Sequence, residues 1–281
     1  IPQRARPMAD RGPGGIFAVP VRAVRGLLRS VMGIGKMNAF LQPLHEPDAE
    51  GRVFEVAQEL LSFEVGTAGR ERLEKAGLSR GCVMVANHPR GILDVFATGA
   101  WFSANTPLPV KCIGNRAIVR FVPALKPYVV GVNNMGMRGQ ERRAFNREAF
   151  QEARSFLSQG GILGVCPAGE VASFRFRSPE GWFKRTDHNW NASFVRIALD
   201  LELPIVPIHI SGSNRRIYYV LRFFGRVFGR LANFRELVAS TNQRILITVG
   251  EAIQHEEYKD LSHEEVARRV RENLYAAVND A

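Results

Sequence analysis

Residues 83–99 read VMVANHPRGILDVFATG. The apolar run that begins at Cys82 and ends at Ala86 fits a buried strand. The chain then turns at Asn87, His88 and Pro89, and from Gly91 the pattern becomes that of a helix carrying Asp94. A strand that hands over directly to a helix is the repeating unit of an α/β sheet.

Further apolar runs at 110–113, 128–132, 162–166, 205–210 and 245–249 read as buried strands. Between them lie helical patterns. In residues 140–159, Phe145, Ala149, Phe156 and Leu157 share one side, and Gly160-Gly161 marks the stop. Near the end, Ser262 and Glu265 stand at capping-box spacing ahead of Val266, Val270, Leu274 and Val278, which predicts a packing helix. The expected architecture is α/β, with a mixed, mostly parallel sheet flanked by helices and an amphipathic helical extension at the N-terminus. We divide the chain into a flexible lead with a membrane-docking helix over 1–50 and a catalytic domain over 51–281.

The turn after the first strand carries a titratable pair. A histidine takes a proton from a hydroxyl when a neighbouring carboxylate fixes its tautomer and steadies the imidazolium, and His88 and Asp94 fit those two roles. Taken alone, Asp94 reads more readily as a cap or surface residue of the first helical turn and His88 as a polar residue on a loop. Two further strand-end blocks favour the chemical reading: GILGVCPAGEVASF at 161–174 and LPIVPIHISGSN at 203–214. Three such blocks can converge on one edge of a sheet.

On these blocks the chain resembles the lysophospholipid acyltransferase superfamily over roughly residues 80–250. Asn87, His88 and Asp94 match its first motif, Pro167 to Glu170 its third, and Val206, Pro207 and Ile208 its fourth. Five residues separate His88 from Asp94 where four are usual, which looks like the bacterial hemolysin-like and ornithine-lipid branch. The second motif departs from the pattern, with Gly131, Asn133 and Arg138 out of the usual order.

The resemblance implies an O-acyltransferase in which His88 is the general base, Asp94 orients it, Gly169 and Glu170 help hold the acceptor, and Pro207 helps shape the site. The implied co-substrate is an acyl thioester on acyl-carrier protein or coenzyme A, with no further cofactor and no metal. The implied acceptor is a lyso-lipid. The altered second motif favours a lyso-aminolipid over a glycerol-phosphate head, which would demand well-placed cationic donors. A 1-acylglycerol-3-phosphate acyltransferase is the alternative. Arg138, Arg175 and Arg177 are candidates for binding the head group, although the last two also read as a solvated basic loop. His209 alternates with Ile208 and Ile210 and is expected to be a core residue. A hydrolase finds no Gly-x-Ser-x-Gly elbow in support.

Lys and Arg outnumber Asp and Glu by 38 to 27, a formal charge of +11, so a negatively charged partner is expected. A basic nucleic-acid or membrane-binding protein without catalysis would satisfy the charge but leave the motif blocks unexplained. We expect an anionic membrane surface and no nucleic acid. Two basic amphipathic segments suit a membrane interface: 20–36, with Arg22, Arg25 and Arg29, and 217–234, whose Arg222, Arg226 and Arg230 form one stripe opposite an apolar side. Neither is apolar enough to span a bilayer, and no signal peptide is expected. Cys82, Cys112 and Cys166 lack disulfide or metal spacing, which fits a reducing compartment. The expected location is peripheral, on the cytoplasmic face of the inner membrane. An apolar channel is expected to lead from His88, Asp94 and Glu170 to the surface.

Overall fold

The computed structural model describes residues 39–46, 49, 51–132, 139–178, 181–223 and 226–278. In chain order the elements are α1 (Val53–Leu61), β1 (Glu64–Ala68), α2 (Arg70–Lys75), β2 (Cys82–Ala86), α3 (Ile92–Asn105), β3 (Val110–Asn115), α4 (Ala117–Phe121), β4 (Val129–Val132) and α5 (Gly139–Ser158). There follow β5 (Ile162–Val165), β6 (Ser173–Ser178), β7 (Gly181–Thr186), α6 (Ser193–Asp200), β8 (Ile205–Ile210), α7 (Arg216–Phe223), α8 (Arg226–Ala239), β9 (Arg244–Val249), α9 (His255–Tyr258) and α10 (His263–Ala276).

Seven strands form one sheet in the order β1-β9-β8-β2-β5-β3-β4. All neighbours are parallel except β8 and β9, so β9 and β1 run against the other five. This is the mixed, mostly parallel α/β sheet expected from the sequence.

β2 lies at its centre and is buried throughout. Its side chains alternate between two apolar layers, as a period-two strand between helices requires. Cys82, Met84 and Ala86 join a core with Phe54, Leu93 and Phe96 from α1 and α3. Val83 and Val85 face Ala153 and Leu157 of α5, Phe194 and Ala198 of α6, and Val270 of α10. At Gly99 a β-carbon would come within 2.1 Å of the Phe54 ring, so α1 and α3 approach as closely as only glycine allows. The predicted C-terminal helix also forms: Ser262 accepts from the Glu265 amide at 3.2 Å, and Val266, Val270 and Leu274 are buried.

Three parts of the architecture differ from the expectation. β1 is an edge strand whose sequence, EVGTA, contains no apolar run to reveal it. β6 and β7 form a separate two-stranded antiparallel sheet, with Ser173 opposite Thr186 and Arg177 opposite Trp182. The period-two alternation in SFRFRS is a strand signal that the density of arginines obscures. The segment read as one helix over 217–234 is divided into α7 and α8. Among the described residues no helix is long and apolar enough to cross a membrane.

Candidate active site

The three motif blocks converge at the carboxyl ends of β5, β2 and β8. Val85 is level with Val165 on one side and with Pro207 on the other, so the segments that follow all leave the same edge of the sheet. Asn87 extends the ladder by one step: its amide nitrogen donates to the Ile210 carbonyl at 3.0 Å, and its amide oxygen accepts the Ile210 N–H at 2.7 Å. A side chain thus completes the pairing where the β2 backbone turns away. Without it, two buried backbone groups would lose their partners, at about 1–3 kcal/mol each.

His88 and Asp94 meet as the sequence implied. Nδ1 of His88 lies 3.0 Å from Oδ2 of Asp94. The same oxygen accepts the backbone N–H groups of Arg90 at 2.9 Å and Gly91 at 3.0 Å. Asp94 sits in the first turn of α3, so its negative charge is also favoured by the helix dipole. The two readings of Asp94, helix cap and histidine partner, are therefore both true of one oxygen. With Nδ1–H held by a carboxylate, Nε2 of the neutral ring carries the lone pair and is free to accept a proton. Gly91 has φ +79°, and a β-carbon there would press on the Asn233 and Val171 side chains, so glycine is needed to bring the turn under the helix.

Burial disfavours the charged form of His88, but the neighbouring Cys166 and the hydrogen-bonded Asp94 act the other way. The net effect is a pKa well above the ordinary histidine value.

Two backbone bonds fix the histidine from outside its own motif. The His88 N–H donates to Oδ1 of Asp187 at 3.1 Å, and its carbonyl accepts the Ala172 N–H at 2.7 Å. Asp187 is buried. Its other oxygen accepts from the Trp190 indole at 3.1 Å, and burial raises its pKa against the opposing pull of these bonds and of His88 and Arg271. Nothing in the spacing of DHNWNASF marks Asp187 as a neighbour of His88, because the two are 99 positions apart in sequence.

Gly169 ends a tight turn, its N–H donating to the Cys166 carbonyl at 3.0 Å, with φ +64°. This conformation explains the glycine without assigning it a ligand. Glu170 stands at the same edge as His88 and pairs with Arg222 at 2.6 Å. Arg222 also donates to the Val171 carbonyl at 3.0 Å and to the Tyr218 hydroxyl at 3.2 Å. Arg222, expected in an outward stripe with Arg226 and Arg230, is thus engaged at the strand edge. The side chains of those two, like that of Arg177, lie outside the described residues, as do Arg22, Arg25, Arg29 and Arg138.

Arg175 is partly buried, with Nη1 3.3 Å from Nδ1 of His188. Pro207 is buried in the middle of the sheet rather than at an edge, and its carbonyl accepts the Gly250 N–H at 2.8 Å. It shapes the strand beneath the site. His209 packs edge-on to Tyr275, and burial lowers its pKa to about 4, in keeping with a structural role. A recess of about 380 Å3 lined by Ser79, Arg80, Gln159 and Leu203 lies at the amino ends of these strands, away from His88, and does not supply the expected channel.

A protein-family model described as Acyltransferase matches residues 64–211, the segment that runs from β1 through the end of β8. Among solved structures the chain is similar to the crystal structure of the 1-acyl-sn-glycerophosphate (LPA) acyltransferase PlsC from Thermotoga maritima. The TM-score is 0.51 at 18% identity, covering 92% of this chain and 97% of that one. No curated protein gives a significant sequence match.

Proposed function

Because the chain belongs to the acyltransferase family, whose model spans the strands that carry His88 and Asp94, we propose that it moves a fatty acyl group from an acyl thioester to the hydroxyl of a lyso-lipid, most specifically a lyso-aminolipid. The observation that carries the reaction type is the His88–Asp94 pair at 3.0 Å on the carboxyl edge of the sheet. In this reading Nε2 of His88 removes the acceptor's hydroxyl proton as the oxygen attacks the thioester carbon. The Asp94 carboxylate steadies the imidazolium, and the thiol then leaves. Exclusion of water from the turn would make the product an ester rather than a free fatty acid.

An acceptor panel tests the choice of lipid. Purified protein is given acyl-carrier-protein or coenzyme A thioesters with lyso-ornithine lipid, lysophosphatidate or a monoacylglycerol, and the ester product is quantified. The reading expects lyso-ornithine lipid to be used best. Preference for lysophosphatidate would replace it with the 1-acylglycerol-3-phosphate reading, the activity for which the Thermotoga protein is named.

We also place the protein on the cytoplasmic face of the membrane, on the strength of the +11 charge and the two basic amphipathic segments. Since Arg222 is engaged with Glu170, the prediction rests on its two neighbours. Arg226→Glu with Arg230→Glu should weaken binding to anionic vesicles at least about tenfold at low salt, because each basic residue contributes ~1 kcal/mol near such a surface, and less at high salt. Co-sedimentation checks it, and equal binding by variant and wild type would leave docking to the segment before residue 39.

A further inference from the structure

We propose that Arg175, His188 and Arg222 form a subsite beside His88 that holds a carboxylate of the lipid acceptor. The proposal deepens the acyltransferase reading by naming the head-group chemistry, and it rests on that reading.

Donors crowd a single imidazole ring at this edge of the sheet. Arg175 Nη1 is 3.3 Å from Nδ1 of His188, while Arg222 Nη2 and Ser173 Oγ each lie 3.0 Å from Nε2. A guanidinium only donates, and a neutral imidazole offers one lone pair and one N–H. Burial and Arg222 hold the His188 pKa below its ordinary value against the opposing Glu170, with Arg175 adding to the lowering, which favours the neutral ring. If Nδ1 accepts from Arg175, Nε2–H donates to Ser173 and Arg222 meets an N–H. If Nε2 accepts from Arg222, Nδ1–H points at Arg175. Either tautomer leaves more donors than acceptors.

Arg222 has other acceptors in Glu170 and the Val171 carbonyl. Arg175 is only partly exposed, and among the described residues no carboxylate pairs with it. A carboxylate oxygen beside Arg175 would give it the acceptor it lacks, through a charge-assisted bond of the kind that guanidinium groups form with carboxylates, with the Arg222 charge on the other side of the His188 ring adding to the attraction.

The position is right for an acceptor. The residues next to the subsite clamp the catalytic histidine from both sides of its backbone: Ala172, beside Ser173, donates to the His88 carbonyl, and Asp187, beside His188, accepts its N–H. A head group held here would keep a nearby hydroxyl within reach of His88.

The charges also narrow the ligand. Glu170 is half exposed and paired with Arg222 at 2.6 Å, so the lip of the subsite carries a negative charge. A single carboxylate is balanced by Arg175, and an ammonium on the same head group would be attracted to Glu170. A phosphomonoester would bring a second negative charge against that residue. A zwitterionic amino-acid head is the complementary class.

The test is equilibrium binding without an acyl donor, using a short-chain N-(hydroxyacyl)-ornithine, its carboxamide analogue and a short-chain lysophosphatidate. Wild-type protein should bind the carboxylate ligand about 10- to 100-fold more tightly than the carboxamide, as expected for a charge-assisted pair, and more tightly than the phosphomonoester. In Arg175→Gln that preference should collapse toward unity, and in Arg175→Lys it should be partly kept. Arg268→Gln, an equal change of charge on the exposed face of α10, should retain it. The proposal is overturned if wild type does not distinguish carboxylate from carboxamide, if it prefers the phosphomonoester, or if Arg175→Gln keeps the full preference. Intact binding preference with no turnover on any acceptor would count against acyl transfer and leave the subsite standing.

Discussion

Replacing His88 with alanine is expected to lower acyl transfer by roughly a hundred- to ten-thousand-fold, the range a positioned general base contributes. The fold should survive. The His88 side chain is 19% exposed and contributes little to either apolar core. The bonds that locate the turn run through its backbone N–H and carbonyl, which alanine retains. Circular dichroism and thermal unfolding should therefore resemble wild type while the transfer rate falls. A variant with wild-type turnover would remove His88 from the chemistry.

Asp94→Asn should be nearly as informative, because the geometry separates charge from position. Oδ2 of Asp94 is the common acceptor for His88 Nδ1 and for the amides of Arg90 and Gly91, whereas Oδ1 is buried without a partner among the described residues. An asparagine can set its amide oxygen where the three donors converge, so the imidazole tautomer and the helix cap are both kept. What is lost is the countercharge to the imidazolium. On the scale of hydrogen bonds to charged groups this predicts a fall of about 10- to 150-fold.

The pH profile should move as well. In the proposed mechanism His88 works as the free base, so the rate should fall as pH drops through its pKa. Asp94 is among the groups that hold that pKa well above the ordinary value against burial. Removing the carboxylate should therefore shift the acidic limb of kcat/KM to lower pH. An unshifted limb with unchanged kinetics would make Asp94 a helix cap and nothing more.

How much of this the sequence could disclose depends on how local each signal is. The β2 turn was legible because an apolar run, Asn87-His88 and Asp94 fall together between positions 82 and 94, and the parallel strands because each is a short buried run before a turn. The site's supports were not. Asp187 reaches His88 across 99 positions, and Arg222 reaches Glu170 across 52. No periodicity encodes either approach. Arg222 shows the cost of reading a helix face in isolation: its spacing with Arg226 and Arg230 made a stripe, whereas the fold gives it a carboxylate to pair with. Asn87 was legible as part of a motif, but its work as a substitute strand residue depends on Ile210, which only the fold brings alongside.

Cys166 lies close to His88, its Sγ donating to the Asn87 carbonyl at 3.8 Å, and a thiol beside a histidine raises the question of an acyl-enzyme. The decisive measurement is thiol release from an acyl thioester, followed in rapid mixing with and without a lyso-lipid acceptor, with the lipid product weighed by mass spectrometry. Direct attack assisted by His88 predicts that release waits for the acceptor and that one thiol appears for each ester formed. A burst of thiol equal to the enzyme concentration in the absence of acceptor, or steady release accompanied by free fatty acid, would contradict it.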